Sequence, residues 1–200
     1  MAWKGGAAVE EPLAYVLTGD GTDDLATLEA ICERYDHGAA LVCPQYAPMT
    51  GLKVIDSLAV VFDKERRTSQ FLTLLDREHL KSIDDFAEAL EERGFTILQR
   101  ERGSREGCWR IAVERGGRRG VIILAVQGRA KSIEEDYAEL IKLSSGESVE
   151  PDKKHIKRWL KERGMGRLRE LIRSASVEQL EEAFPSLTCA LKALLQAGGV

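Results

Sequence analysis

Leu13-Ala14-Tyr15-Val16-Leu17-Thr18-Gly19-Asp20-Gly21 sets the class of this chain. A short, largely apolar run stops at two glycines around an aspartate, the pattern of a buried strand closed by a turn. Thr22 or Asp23 then caps a helix running to about Tyr35, with Leu25, Leu28 and Cys32 on one face. A strand that feeds directly into a helix is the repeating unit of a parallel sheet.

The same alternation continues outward. Ala39 to Cys43 reads as a second strand ended by Pro44, and Tyr46 to Gly51 as a loop. Leu52 to Arg66 has two readings. Leu58 to Phe62 is apolar enough for a strand, which would place Asp63 at its end. But Val54, Ile55, Leu58, Ala59, Val61 and Phe62 also fit helical spacing. The helix is preferred, because Phe71-Leu72-Thr73-Leu74-Leu75 soon supplies a better strand, ending at Asp76-Arg77-Glu78. Ser82 caps a helix over Ile83 to Arg93, with Asp85 completing a capping box, and Gly94 ends it. Phe95 to Gln99 is a fourth strand. Trp109 to Glu114 and Val121 to Val126 flank a Gly- and Arg-rich turn and read as a hairpin. A helix over Ser132 to Leu143 precedes a Ser144-Ser145-Gly146 linker. Pro151 then opens a helical tail with breaks near Gly164 to Gly166, Ser174 and Pro185.

The expectation is an α/β fold: a mainly parallel sheet flanked by helices, a β-hairpin, and a C-terminal helical extension. Its boundaries are a tail over 1–12, the α/β domain over 13–146 and the extension over 147–200, packed on that domain. Composition agrees, since 44% hydrophobic and 31% charged residues in 200 provide both a core and a solvated surface. No apolar run approaches the roughly 18–20 residues of a membrane span. The first ten residues lack the basic start and apolar stretch of a signal peptide. Cys32, Cys43, Cys108 and Cys189 are scattered without the spacing of a zinc site. A reduced, cytoplasmic protein is the simplest expectation.

The net charge of -4 is unevenly spread. Residues 1–150 carry 27 acidic against 19 basic residues, whereas residues 151–175 carry nine basic against three acidic. An acidic body beside a basic helical segment suits a protein that holds a cation in one place and a polyanion in another. A solvated helix face that pairs with the body explains the same numbers. In parallel sheets, functional residues gather beyond the carboxyl ends of the strands. Two such ends carry carboxylates here: Asp20, with Asp24 a helical turn later, and Asp76 with Glu78. If the two strands are neighbours, these groups converge and repel unless a hard cation lies between them. Mg²⁺ (or Mn²⁺) suits oxygen ligands combined with substrate phosphates, which points to metal-assisted phosphoryl transfer. Turn-forming and helix-capping roles are the plain alternative for each carboxylate.

Leu17 to Ala30, with its strand, Gly19-Asp20-Gly21 turn, Asp24 and amphipathic helix, resembles the opening motif of Toprim domains. Leu74-Leu75-Asp76-Arg77-Glu78 resembles the D-x-D after their third strand, and the helix over Gly51 to Arg66 falls where Toprim-like proteins place one. Gly120 to Ala125 followed by Ser132 to Leu140 is similar to a late strand and helix start found in an uncharacterised, largely prokaryotic Toprim-related group. The resemblance covers roughly residues 13–143. It implies Asp20 as general acid/base, Asp76 and Glu78 as Mg²⁺ ligands, Asp24 in support of the metal and Glu135 as a further candidate ligand. Two departures bear on activity: Asp20 is shorter than the family's glutamate, and Glu78 is longer than its second aspartate.

Lys153, Lys154, Lys157, Arg158 and Lys161 are the candidate contacts to DNA or RNA phosphates, with salt-dependent and largely sequence-independent affinity. The oligomeric state is left open, a homodimer included. His79, beside Glu78, could reach the site as a ligand or proton shuttle, although a surface histidine before a helix is the simpler reading. Trp159, spaced helically with Ile156 and Leu160, is expected to dock the tail rather than stack on a base. Arg115, Arg118 and Arg119 at the hairpin read as solubilising charges with some reach toward phosphates. A non-catalytic Toprim-like module that binds nucleic acid, nucleotide or a protein partner is the rival to a phosphodiester enzyme.

Overall fold

The computed structural model describes residues 2–3, 12–19, 22–35, 40–44 and 50–197. The strands are β1 (Ala2–Trp3), β2 (Ala14–Thr18), β3 (Ala40–Val42), β4 (Gln70–Asp76), β5 (Thr96–Arg102), β6 (Cys108–Arg115) and β7 (Arg118–Gln127). The helices are α1 (Thr22–Cys32), α2 (Val54–Lys64), α3 (Ile83–Glu92), α4 (Ile133–Ser145), α5 (Lys153–Glu162), α6 (Leu168–Ser174), α7 (Val177–Ala183) and α8 (Pro185–Ala197). One sheet runs in the order β1-β3-β2-β4-β7-β6-β5. Neighbours from β1 through β7 are parallel, and β7-β6-β5 close the sheet as an antiparallel meander. The fold is therefore α/β with a mostly parallel sheet, as the alternation of periodicities predicts.

Helices cover both faces, and each face has its own core. Ala14, Val16, Leu72, Leu74, Ile123 and Ala125 meet α1, α4 and the helices that follow. Tyr15, Leu17, Phe71, Leu75, Ile122 and Leu124 meet α2 and α3. This is strand periodicity at work: successive side chains alternate faces, so a run buried on both sides is apolar throughout. The two-way stretch at Leu52 to Arg66 is a helix, α2, entered through a short 3-10 turn at Gly51–Lys53. Phe62 from that helix stacks on Phe71 at 5.0 Å and meets Phe95 edge-on at 5.1 Å.

Three expectations change in detail. Ala2–Trp3, read as tail, pairs with Ala40 and Leu41 as an edge strand. Ser144 and Ser145 belong to α4, whose C-terminus is capped by Gly146, so the linker is a helix end. The C-terminal helices do more than rest on the domain, because Ile156, Leu160, Ile172, Phe184, Leu187 and Leu191 share one core with the sheet. No helix among the described residues is long and apolar enough to cross a membrane.

Candidate metal centre

β2 and β4 are adjacent and parallel, with Thr18 level with Leu74, so both chains leave the sheet at the same rim. Asp76 is the last residue of β4 and precedes a 3-10 turn over Arg77–His79. That turn decides the geometry. In an extended chain, alternate residues share a face about 6.6 Å apart and the third points away. In a 3-10 turn, positions three apart eclipse, so His79 swings back over Asp76. One ligand atom each from Asp76, Glu78 and His79 then falls within 4.8 Å of the others. Gly51, at φ +57°, gives the imidazole room: a Cβ there would stand 3.2 Å from Cγ of His79.

Asp76 is half-buried and the pair beside it is exposed. Burial pushes the Asp76 carboxyl above its usual range, and the neighbouring Glu134 and Glu78 add to this. The Ile133 backbone N–H, donating to Oδ1 at 3.1 Å, pulls the other way. A carboxylate offers about four lone-pair sites, so this bond leaves capacity for a cation. Gln127 lies directly opposite Asp76 in the β4-β7 register and on the same face. It is fully buried, yet neither its amide oxygen nor its nitrogen has a hydrogen-bond partner among the described residues. A buried amide in that state costs on the order of 1–3 kcal/mol and is met in native proteins chiefly where water, an ion or a ligand completes it. The two carboxylates supply the oxygen ligands that suit Mg²⁺ or Mn²⁺, and the imidazole adds a nitrogen that suits a transition-metal ion more than Mg²⁺.

The other candidates are distributed around this rim. Asp20 lies outside the described residues. Asp24 is buried in the first turn of α1, near the Tyr137 hydroxyl, and falls outside the three-residue group. Glu135 also falls outside it. Its Oε2 accepts backbone N–H groups of Arg129, Ala130 and Lys131 at 2.7, 2.7 and 3.0 Å, which fastens the loop after β7. Burial pushes Glu135 up, but those donations together outweigh it and hold the carboxyl below its usual range. Glu134 acts on the Asp76 carboxyl, and Lys153 Nζ stands 3.6 Å from a carboxylate oxygen of both Glu134 and Asp23.

The basic segment divides. Lys153 sits in the acidic rim, Arg158 pairs with Glu162 at 3.1 Å, and Lys154 is exposed. Lys157 and Lys161 line a groove against α1. Trp159 is a core residue: it donates to Glu147 at 2.7 Å, and Arg163 lies over its ring at 4.1 Å. The hairpin arginines are structural. Arg115 grips Asp63 through two 3.0 Å bonds, Arg119 pairs with Glu114, and Arg118 binds backbone carbonyls at the end of α2. Cys108 packs beside Cys189, and Gly103 closes over both thiols.

His79 is the residue that sequence reading undervalued. Its signal was adjacency to Glu78, but a D-x-E read as strand continuation sends the next side chain to the far face. Gln127 offered no local signal, because its significance lies in the β4-β7 register. Comparison with family models, with curated proteins and with solved structures returns no match for this chain.

Proposed function

We propose that this chain is a Toprim-like protein that uses a divalent cation, Mg²⁺ or Mn²⁺, for phosphoryl transfer on nucleic-acid or nucleotide phosphodiesters. One observation carries the reading: ligand atoms of Asp76, Glu78 and His79 converge within 4.8 Å at the carboxyl end of a central strand, whose last residue pairs in register with Gln127. Such a cation would neutralise charge developing on phosphate oxygens and lower the pKa of a bound water. Asp76 and Glu78 would hold it, His79 would serve as third ligand or proton carrier, and Asp20 remains the candidate acid/base.

The test is Mn²⁺ titration followed by electron paramagnetic resonance or calorimetry, alongside Mg²⁺-dependent cleavage of a labelled oligonucleotide. Asp76→Ala should weaken Mn²⁺ binding by at least tenfold, as expected for loss of a charged ligand. Unchanged Mn²⁺ affinity in that variant would remove the metal site.

Lys153 favours a second reading. Its ammonium already supplies positive charge between Asp23 and Glu134, the service a cation would otherwise perform there. A non-catalytic module would bind oligonucleotide without Mg²⁺ and keep that affinity in Asp76→Ala.

A further inference from the structure

A second feature adjoins the acidic rim. Between the start of α1 and the α5–α6 turn lies a groove of about 530 Å³, within the range of small-molecule sites. Its floor is apolar, from Ala26, Leu160, Met165 and Leu168, and Lys157, Lys161 and Arg167 stand around it. None of these three cations has a carboxylate partner among the described residues, whereas most cations nearby are paired. Asp23 forms the wall shared with the rim, where it meets Lys153.

The groove is held open by its supports. α5 ends with Met165 N–H returning to the Leu160 carbonyl at 2.9 Å, which fixes the turn that carries Met165 and Arg167. Glu170 accepts from the Gly166 N–H at 2.9 Å. α6 is clamped to α1 by Arg169 with Glu29 and by Arg173 with Glu33, the latter through bonds of 2.6 and 2.8 Å. A groove whose walls are tied by ion pairs loses little entropy when a ligand enters.

We infer that this groove binds a nucleoside phosphate. Three unpartnered cations around one opening call for a multiply charged anion, and phosphate oxygens accept from Lys and Arg in charge-assisted bonds. The apolar floor calls for a flat, weakly polar body on the same ligand, as a nucleobase is. Asp23 is the acceptor available to a sugar hydroxyl or an exocyclic amine. The inference deepens the phosphoryl-transfer reading and rests on it for the ligand's role as substrate, since Asp23 connects groove and rim. Binding itself requires no metal.

The experiment uses the full chain in EDTA at low salt, with fluorescent ADP and a 5′-phosphorylated oligothymidylate as separate probes and inorganic phosphate as competitor. Saturable binding of either probe is expected, and Lys157→Ala/Lys161→Ala and Arg167→Ala should each weaken it by about tenfold or more. Arg110→Ala, in β6 next to the far edge strand of the sheet, should leave it unchanged. Tighter binding of ADP identifies a free nucleotide, and tighter binding of the oligonucleotide identifies a strand end. Absence of saturation, indifference to the groove substitutions, or displacement by inorganic phosphate as effective as by ADP itself would overturn the inference. Because EDTA removes the cation, failure here speaks against the groove alone, and failure of Mn²⁺ titration speaks against the metal centre alone.

Discussion

Asp136 is a carboxyl placed where water scarcely reaches, 2% exposed, with the Gly128 N–H donating to it at 3.0 Å. Burial pushes its pKa up to about 7, Glu135 and Asp76 push the same way, and Gly128 and Arg129 oppose. An unfolded aspartate titrates near about 3.9, so the folded state takes up a proton between these values. The stability contributed by this group is complete below the unfolded pKa and is lost as pH rises through about 7. In EDTA, the urea-unfolding free energy of the wild type should fall relative to Asp136→Asn between pH 4 and pH 7, at up to about 1.4 kcal/mol per pH unit. Parallel pH profiles for the two proteins would show that Asp136 does not titrate in this window.

Helix α2 ends on an arginine from another part of the chain. Arg118 donates to the carbonyls of Phe62, Glu65 and Thr68, the last two at 2.7 and 2.6 Å, and lies 4.8 Å over the Phe62 ring. The final carbonyls of a helix have no internal partner and carry its negative pole, so a cation here satisfies both. Arg118→Ala should cost about 1.5–3 kcal/mol in urea unfolding, the range for hydrogen bonds from a charged donor, here to part-buried carbonyls. Arg119→Ala, whose side chain pairs with Glu114 at the surface, should stay within about 0.5 kcal/mol. The helix itself was legible from the spacing of Val54, Ile55, Leu58, Ala59, Val61 and Phe62, because burial on one side imposes that period. The arginine that completes it was not, since Arg118 reads as one more charge beside a glycine turn. The same distinction runs through the site: Asp76 and Glu78 were legible as carboxylates closing an apolar run. His79 and Gln127 depended on a 3-10 turn and an inter-strand register, which no local pattern encodes.

Two cores lie one on each face of a single sheet, and the C-terminal helices share one of them, which predicts that the chain unfolds as one cooperative unit. The face formed by Leu72, Leu74, Ile123 and Ala125 is closed in part by Leu171, Phe184, Leu187 and Leu191 from the C-terminal helices. Ending the chain after Gly146 would open that face. Each large side chain so exposed forfeits roughly 1.5–3 kcal/mol of burial, and a few such losses match the roughly 5–15 kcal/mol stability of a domain. The shortened protein should express insolubly, or bind a hydrophobic dye and unfold without a sharp transition. Cooperative unfolding at wild-type temperature would instead make residues 147–200 a dispensable attachment.

At the far end of β7, Gly116 and Gly117 turn the hairpin at φ +56° and +72°, and a Cβ at either would meet nothing within 4 Å. From Arg118 to Gln127 the strand spans ten residues, a run of about 30 Å at the usual rise. The tip is therefore a natural anchorage: a fluorophore or short epitope grafted there would ride on the rigid end of a central strand, remote from the chemistry at its other end.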